Sequence, residues 1–173
     1  MRLLLLFILF LVLNNCSTMK PEDYKDTEPV IKIEEFFQGN VRAWGMLQSR
    51  SGEVKRQFVA DMKGNFDGQN LILDETFIWN DGEKQERRWT IKKVGDNRYE
   101  GTAPDVVGIA KGVSYGSAFK FEYKLLIPYK NKKIKVRFDD WIFKQDDKTA
   151  INKAMLTKFG FKVGELTVFF TKD

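Results

Sequence analysis

From Ile31 onward the chain alternates apolar and polar residues in runs of about 5–11, and Gly, Asn and Asp separate the runs. A period of two is the mark of a strand with one buried face. The alternation predicts strands over 41–49, 54–66, 70–79, 84–94, 98–102, 110–115, 118–128, 133–143, 151–159 and 165–172. Ser51-Gly52, Asp67-Gly68, Asn80-Asp81-Gly82, Gly95-Asp96-Asn97 and Gly116 supply turn chemistry between them. A short helix near 30–37 is the one helical expectation. Strands in meander order at this spacing predict an all-β fold, an antiparallel up-and-down β-barrel of about 8–10 strands with lipocalin-like geometry. Closing the sheet removes the edges that invite aggregation. A barrel of that size is filled by side chains or holds one small ligand.

The alternation also places charges. One face of residues 71–79 carries Leu71, Leu73, Glu75, Phe77 and Trp79. One face of residues 134–142 carries Ile134, Val136, Phe138, Asp140 and Ile142. Glu75 and Asp140 are therefore carboxylates on apolar faces, and each must be paired or protonated. Basic residues beside aromatic ones are the candidate partners: Arg87, Arg88 and Lys158. Arg87 shares a face with Trp89 and Ile91. Glu75 and Arg87 are expected to face the interior and meet as a diagonal pair across the hairpin at Asn80–Gly82. Such a pair is read in three ways: a structural ion pair, an anchor for the polar end of an apolar ligand, or a general acid–base pair. Asp139 and Asp140 precede Trp141, but neighbouring strand residues point to opposite faces, so no metal site is expected there. Asp105, in Thr102–Gly108, reads as a turn residue at a barrel mouth, where ligand contacts fall.

The first 13 residues break the pattern. Arg2 precedes an unbroken apolar run from Leu3 to Leu13. As a helix it covers about 16 Å, short of the about 20 residues that span a bilayer. It reads as a secretory signal. Leu13-Asn14-Asn15-Cys16 resembles the bacterial lipobox, in which a Leu lies three residues before the Cys that is lipidated. Asn15 stands where that pattern prefers Gly, Ala or Ser. The resemblance implies a signal peptide over 1–15 and a lipid anchor on Cys16. Two or three acyl chains there hold a protein on a membrane essentially permanently, at about 0.8 kcal/mol per buried CH₂. Ser17, being other than Asp, implies the periplasmic face of the outer membrane. Residues 16–30 are expected to be a tether and 31–173 the barrel.

Composition narrows the chemistry. The chain has 173 residues, which fits one domain. It has no His, which excludes Ser-His-Asp and Cys-His catalysis and any His-containing metal site. It has one Cys, so no internal disulfide can form. No cofactor is expected. The net charge of +5 falls to +4 without residues 1–15, 28 basic against 24 acidic, and reads as Lys solvating the surface. A nucleic-acid-binding β fold would expose aromatics beside a basic stripe. Here the alternation is expected to turn the aromatics inward, so no nucleic-acid partner is expected.

Several segments recur in order in a family of Gram-negative lipoproteins known as domain of unknown function 3833, which this chain resembles over roughly residues 31–172. They are Phe36-Phe37-Gln38-Gly39, Ala43-Trp44-Gly45, Leu73–Phe77, Arg88-Trp89, Ala103–Gly108, Asp139-Asp140-Trp141 and Lys158-Phe159-Gly160. The resemblance implies a lipocalin-like barrel and a lipid anchor, with no established activity. Members are encoded near enzymes that modify membrane fatty acids, an association with lipid handling. The leading expectation is a monomeric lipoprotein that binds a fatty acid or another apolar molecule. Glu75, Arg87, Arg88, Trp89, Asp105, Asp140, Trp141 and Lys158 are its candidate contacts. This needs a lumen of at least about 300 Å³. A filled barrel that presents a surface to partners, and a carboxylate-dependent enzyme acting on a lipid or sugar, are the other two readings.

Overall fold

The computed structural model describes residues 19–173. The expected signal peptide, lipobox resemblance and lipidation of Cys16 fall outside the described residues. Ten antiparallel strands form a closed barrel in meander order: β1 (Gly39–Ser49), β2 (Val54–Phe66), β3 (Asn70–Trp79), β4 (Lys84–Gly95), β5 (Arg98–Thr102), β6 (Ala110–Tyr115), β7 (Ala118–Tyr129), β8 (Lys132–Lys144), β9 (Thr149–Lys158) and β10 (Phe161–Lys172). The β1–β10 ladder, with Trp44 opposite Phe169, closes the ring. The expected fold class is the observed one.

The longest departure from the expected strands is at the start of β10. Phe159 (φ 51°) and Gly160 (φ 81°) make a tight turn that pairs Phe161 with Lys158. A register shift between Lys162 and Gly164 then absorbs one residue.

Four connections gather at one end of the barrel and five at the other. At one end, the short helix α1 (Ile33–Phe36) caps the lumen. Ile33, Phe36 and Phe37 are buried in the core. Gly64 permits this cap, because a Cβ there would lie 1.8 Å from the Phe37 carbonyl oxygen. Glu34, buried with the cap, accepts hydrogen bonds from Lys93 Nζ (2.7 Å) and Tyr99 OH (2.9 Å). The segment expected as a tether lies along the wall at this end. A 3-10 helix at Pro21–Tyr24 sets Tyr24 against Trp141 and Phe143, and Ile31 N–H donates to Gly116 O (2.8 Å).

The opposite end carries the β1–β2, β3–β4, β5–β6, β7–β8 and β9–β10 connections. Its interior is lined by Leu125, Val136, Phe138, Ala154 and Leu156, a cluster distinct from the main core. The inward expectation holds for aromatics such as Phe58, Phe77, Trp89, Phe119 and Phe121. It is overturned for Trp44, Tyr129, Phe159, Phe161 and Phe169, which are exposed. Trp44 and Phe169 have outward parity, and the other three sit at hairpin tips, where parity no longer selects a buried face.

Candidate functional site

Strand parity decides which side chains enter the lumen. On β3 the inward set is Leu71, Leu73, Glu75, Phe77 and Trp79; on β4 it includes Arg87, Trp89 and Ile91. Glu75 and Arg87 stand directly opposite in the ladder, not diagonally. They are close but not hydrogen-bonded: Arg87 Nη1 lies 3.6 Å from Glu75 Oε2. The guanidinium is held instead by Asp105, from the β5–β6 loop. Nη2 donates to Oδ2 at 2.8 Å, and Nε donates to Oδ1 and Oδ2 at 3.2 and 3.1 Å. This fork-to-carboxylate geometry is the strong form of an ion pair. It leaves Glu75 Oε2 buried with no hydrogen-bond donor.

Asp140 enters from β8, as expected. Tyr123 OH donates to its Oδ2 and Asn152 Nδ2 donates to its Oδ1 at 3.3 Å. Neither Tyr123 nor Asn152 was among the sequence candidates. The signal was present: Tyr123 follows Phe119 and Phe121 on one face of β7, and Asn152 lies between Ala150 and Ala154 on one face of β9. A polar residue in an apolar row is the sign that revealed Glu75.

These groups surround a cavity of about 120 Å³, lined by Glu75, Arg87, Asp140 and Tyr123 together with Trp89 and Phe121. That is below the expected 300 Å³. The shortfall has a cause: aromatic rings fill the lumen toward the α1 cap, and the Leu125–Leu156 cluster fills it toward the opposite end. The space is comparable to the ~150 Å³ that accepts a benzene-sized molecule.

Three carboxylates, Glu75, Asp105 and Asp140, face one guanidinium. Burial pushes Glu75 up to about 7, Arg87 and Trp89 beside it pull it down, and Asp105 and Asp140 add to the rise. Burial likewise pushes Asp140 up to about 6, opposed by the hydrogen bonds from Tyr123 and Asn152 and by Arg87. The Tyr123 hydroxyl is held well above its ordinary value by burial and by the adjacent Asp140. The site is thus an acid-rich pocket in an apolar wall, able to hold a proton or to receive a hydrogen-bond donor.

Three sequence candidates fall elsewhere. Arg88 points outward and pairs with Asp74, Nη2 to Oδ2 at 2.9 Å. Trp141 is on the outer wall, opposite in parity to Asp140, and is buried there against Tyr24, Phe143 and the Lys120 ammonium. Lys158 sits at the β9–β10 tip, its ammonium over the Phe159 ring. The physical reason for the first two is one of adjacency, since Arg88 and Trp141 each follow an inward residue on a strand. Asp139 also points outward, toward Lys120 at 3.5 Å. Among the described residues, no group of three or more acidic or cysteine side chains is arranged to hold a metal ion.

Residues 10–172 match the model of a family described as protein of unknown function (DUF3833). No curated protein matches the sequence. Among solved structures, the S-type phycobiliprotein lyase CPES from Guillardia theta is similar over 90% of this chain and 98% of its own, with a TM-score of 0.60 and 10% identity. A protein of unknown function of the DUF3598 family, from Nostoc punctiforme, is similar over 84% of this chain at a TM-score of 0.62 and 12% identity. This chain spans about half of that one, 51%. At these identities the likeness is one of fold.

Proposed function

The chain belongs to the DUF3833 family, and from that premise we propose that it is an exported lipoprotein whose barrel takes the polar end of one small apolar molecule into its lumen. The observation that carries this reading is Glu75, which lines the cavity and whose buried Oε2, 3.6 Å from Arg87 Nη1, accepts no hydrogen bond. A buried acceptor left unpaired costs about 1–3 kcal/mol, which a guest supplying the donor would recover. The cavity holds only the head of such a guest. Its tail would lie in the aliphatic cluster toward the uncapped end, displacing flexible Leu and Ile side chains.

The charge balance selects among heads. A fatty carboxylate would join three carboxylates, and the single guanidinium is already engaged by Asp105. An ammonium or hydroxyl head would instead donate to Glu75. The proposed guest is therefore donor-headed, and the free fatty acid suggested by the sequence is disfavoured. The lipid on Cys16 and an envelope location remain part of the proposal, supported by the Leu3–Leu13 run and the lipobox resemblance.

Octylamine, octanol and octanoate, titrated in turn, test this by the fluorescence of Trp89, with a Trp89→Phe variant to isolate its signal. The amine or the alcohol is expected to bind at least about tenfold tighter than the acid, a difference of 1.4 kcal/mol. Glu75→Gln should erase most of that preference. Absence of saturable binding by any of the three, together with no carried molecule in native mass spectra, would leave the filled-barrel reading, which the small cavity favours.

A further inference from the structure

The uncapped end of the barrel has an uneven rim. Neighbouring in the closed ring are the β7–β8 and β9–β10 hairpins. Between Lys124 and Arg137 the chain carries six basic residues and no acidic one. Between Ile151 and Gly164 it carries Lys153, Lys158 and Lys162, of which Lys162 pairs with Glu165 just beyond. Large apolar side chains stand among these lysines. Phe159 is 89% exposed, Phe161 71%, and Tyr129 51%; Ile109, from the adjacent β5–β6 loop, is 56% exposed. The far side of the rim is different: its β1–β2 and β3–β4 tips balance Glu53, Asp81 and Glu83 with Arg50, Lys55 and Lys84.

Phe159 is the informative residue. It adopts φ 51° at a tight turn, a left-handed conformation that is uncommon for a bulky residue and costs about 1–2 kcal/mol. Asn followed by Gly is the ordinary choice for such a turn. Packing does not explain an aromatic ring there, because the ring has almost no protein around it. Residues held in sparsely populated backbone states concentrate where a surface has work to do.

We propose that this half of the rim, Tyr129–Lys133 and Lys158–Lys162, docks on an anionic lipid bilayer. Exposed rings enter the interface while lysines meet the headgroups, each worth about 1 kcal/mol near such a surface. The described N-terminal segment supports this orientation. Tyr24, whose OH donates to Met19 Sδ at 2.7 Å, packs near the capped end, and Met19 lines one outer-wall groove with Asp139 and Met155. Met155 lies four residues, about 13 Å, short of Phe159. Cys16 is three residues before Met19, a reach of at most about 10 Å. A lipid on Cys16 and the basic–aromatic rim would then address the same membrane, with the uncapped lumen facing it. The orientation argument rests on the proposed anchor; the rim argument does not.

The test uses the full protein purified from membranes and reconstituted in vesicles of phosphatidylglycerol and phosphatidylethanolamine. Phe159→Trp reports contact with brominated acyl chains, against a matched Asn97→Trp at the capped end. Quenching of the first and not the second is expected. Equal, absent or reversed quenching in protein that has incorporated would overturn the docking surface while leaving the anchor intact; failure to incorporate at all would overturn the anchor. Phe159→Asn should raise the melting temperature and leave the barrel folded. In a Phe159→Asn, Phe161→Ser protein carrying Tyr129→Trp, quenching at residue 129 should fall at least twofold; unchanged quenching would overturn the role of the two rings. If the unquenched rim instead retains a single-stranded oligonucleotide, the same aromatics and lysines serve a nucleic acid and the bilayer proposal is wrong.

Discussion

Replacing Arg87 by methionine is expected to lower the unfolding free energy by about 3–5 kcal/mol near pH 7.5, the usual loss when one partner of a buried charge cluster is removed. Arg87 has 15% of its side chain exposed and, among the described residues, is the only basic group paired with Glu75 and Asp105. Without it, Asp105 loses three hydrogen bonds. Glu75 loses its sole countercharge, and Asp140 one of the groups that hold it down. Methionine keeps most of the volume, so the loss reports charge and not a cavity. Two features distinguish this from ordinary core damage. The deficit should shrink toward pH 5, where Glu75 and Asp140 can protonate instead. The double variant Arg87→Met, Glu75→Gln should recover part of it. Arg88→Ala, one residue away, removes an exposed pair with Asp74 and should cost less than about 1 kcal/mol. Urea denaturation of the four proteins checks the series. Similar losses for the two arginines would mean that Arg87 is not balancing buried charge.

The contrast between these neighbours also marks how far the sequence could be read. Period-two alternation identified the inward faces of β3 and β8, and so Glu75 and Asp140, because an acidic residue in a row of Leu, Ile and Phe is visible without a structure. Asp67-Gly68 and Asn80-Asp81-Gly82 set the β2–β3 and β3–β4 turns at their observed positions. The same rule, applied strictly, puts Arg88 and Trp141 on the outer wall. Both became candidates because they adjoin aromatic or acidic residues, and adjacency along a strand separates side chains rather than uniting them. Asp105 was legible as a loop residue, but its grip on Arg87 was not. That contact joins positions 18 apart through the curvature of the barrel. Parity also says nothing about the ends: α1 caps one mouth because Gly64 leaves room for the Phe37 backbone, and an exposed Phe159 caps a turn where alternation has already stopped. Tyr123 and Asn152 obey the same rule as Glu75, but an uncharged polar residue on an apolar face is a weaker mark than a charge.

The buried acids make a second prediction, whose sign is opposite to that of most carboxylates. Glu75 moves from 4.5 to about 7 and Asp140 from 3.8 to about 6 on folding. The folded state therefore holds protons that the unfolded chain has released, and stability must fall as pH rises through this range. Each shift, taken alone, corresponds to about 3 kcal/mol. The two acids share Arg87, so the observed decline should lie between one and two such amounts. Stability contributed by these protons is complete below the unfolded values, near 4, and gone above about 7. Glu34, Asp67, Asp74 and Asp146 oppose it, since their folded values are lowered and they lose stability only as the medium becomes more acid. The maximum is thus expected between about pH 4 and 5, with a steady fall toward neutrality. Glu75→Gln should flatten most of that fall, and Asp74→Asn should not. Urea midpoints across the range decide it, and a profile that is level or rising from 4.5 to 7 would mean that Glu75 and Asp140 are not buried as described. The same linkage connects the acids to a guest. A donor-headed molecule binds the ionised form of Glu75, so its affinity should rise with pH across the interval in which the empty barrel weakens. Binding then returns the stability that deprotonation removes, and an octylamine-loaded protein should show the smaller pH dependence.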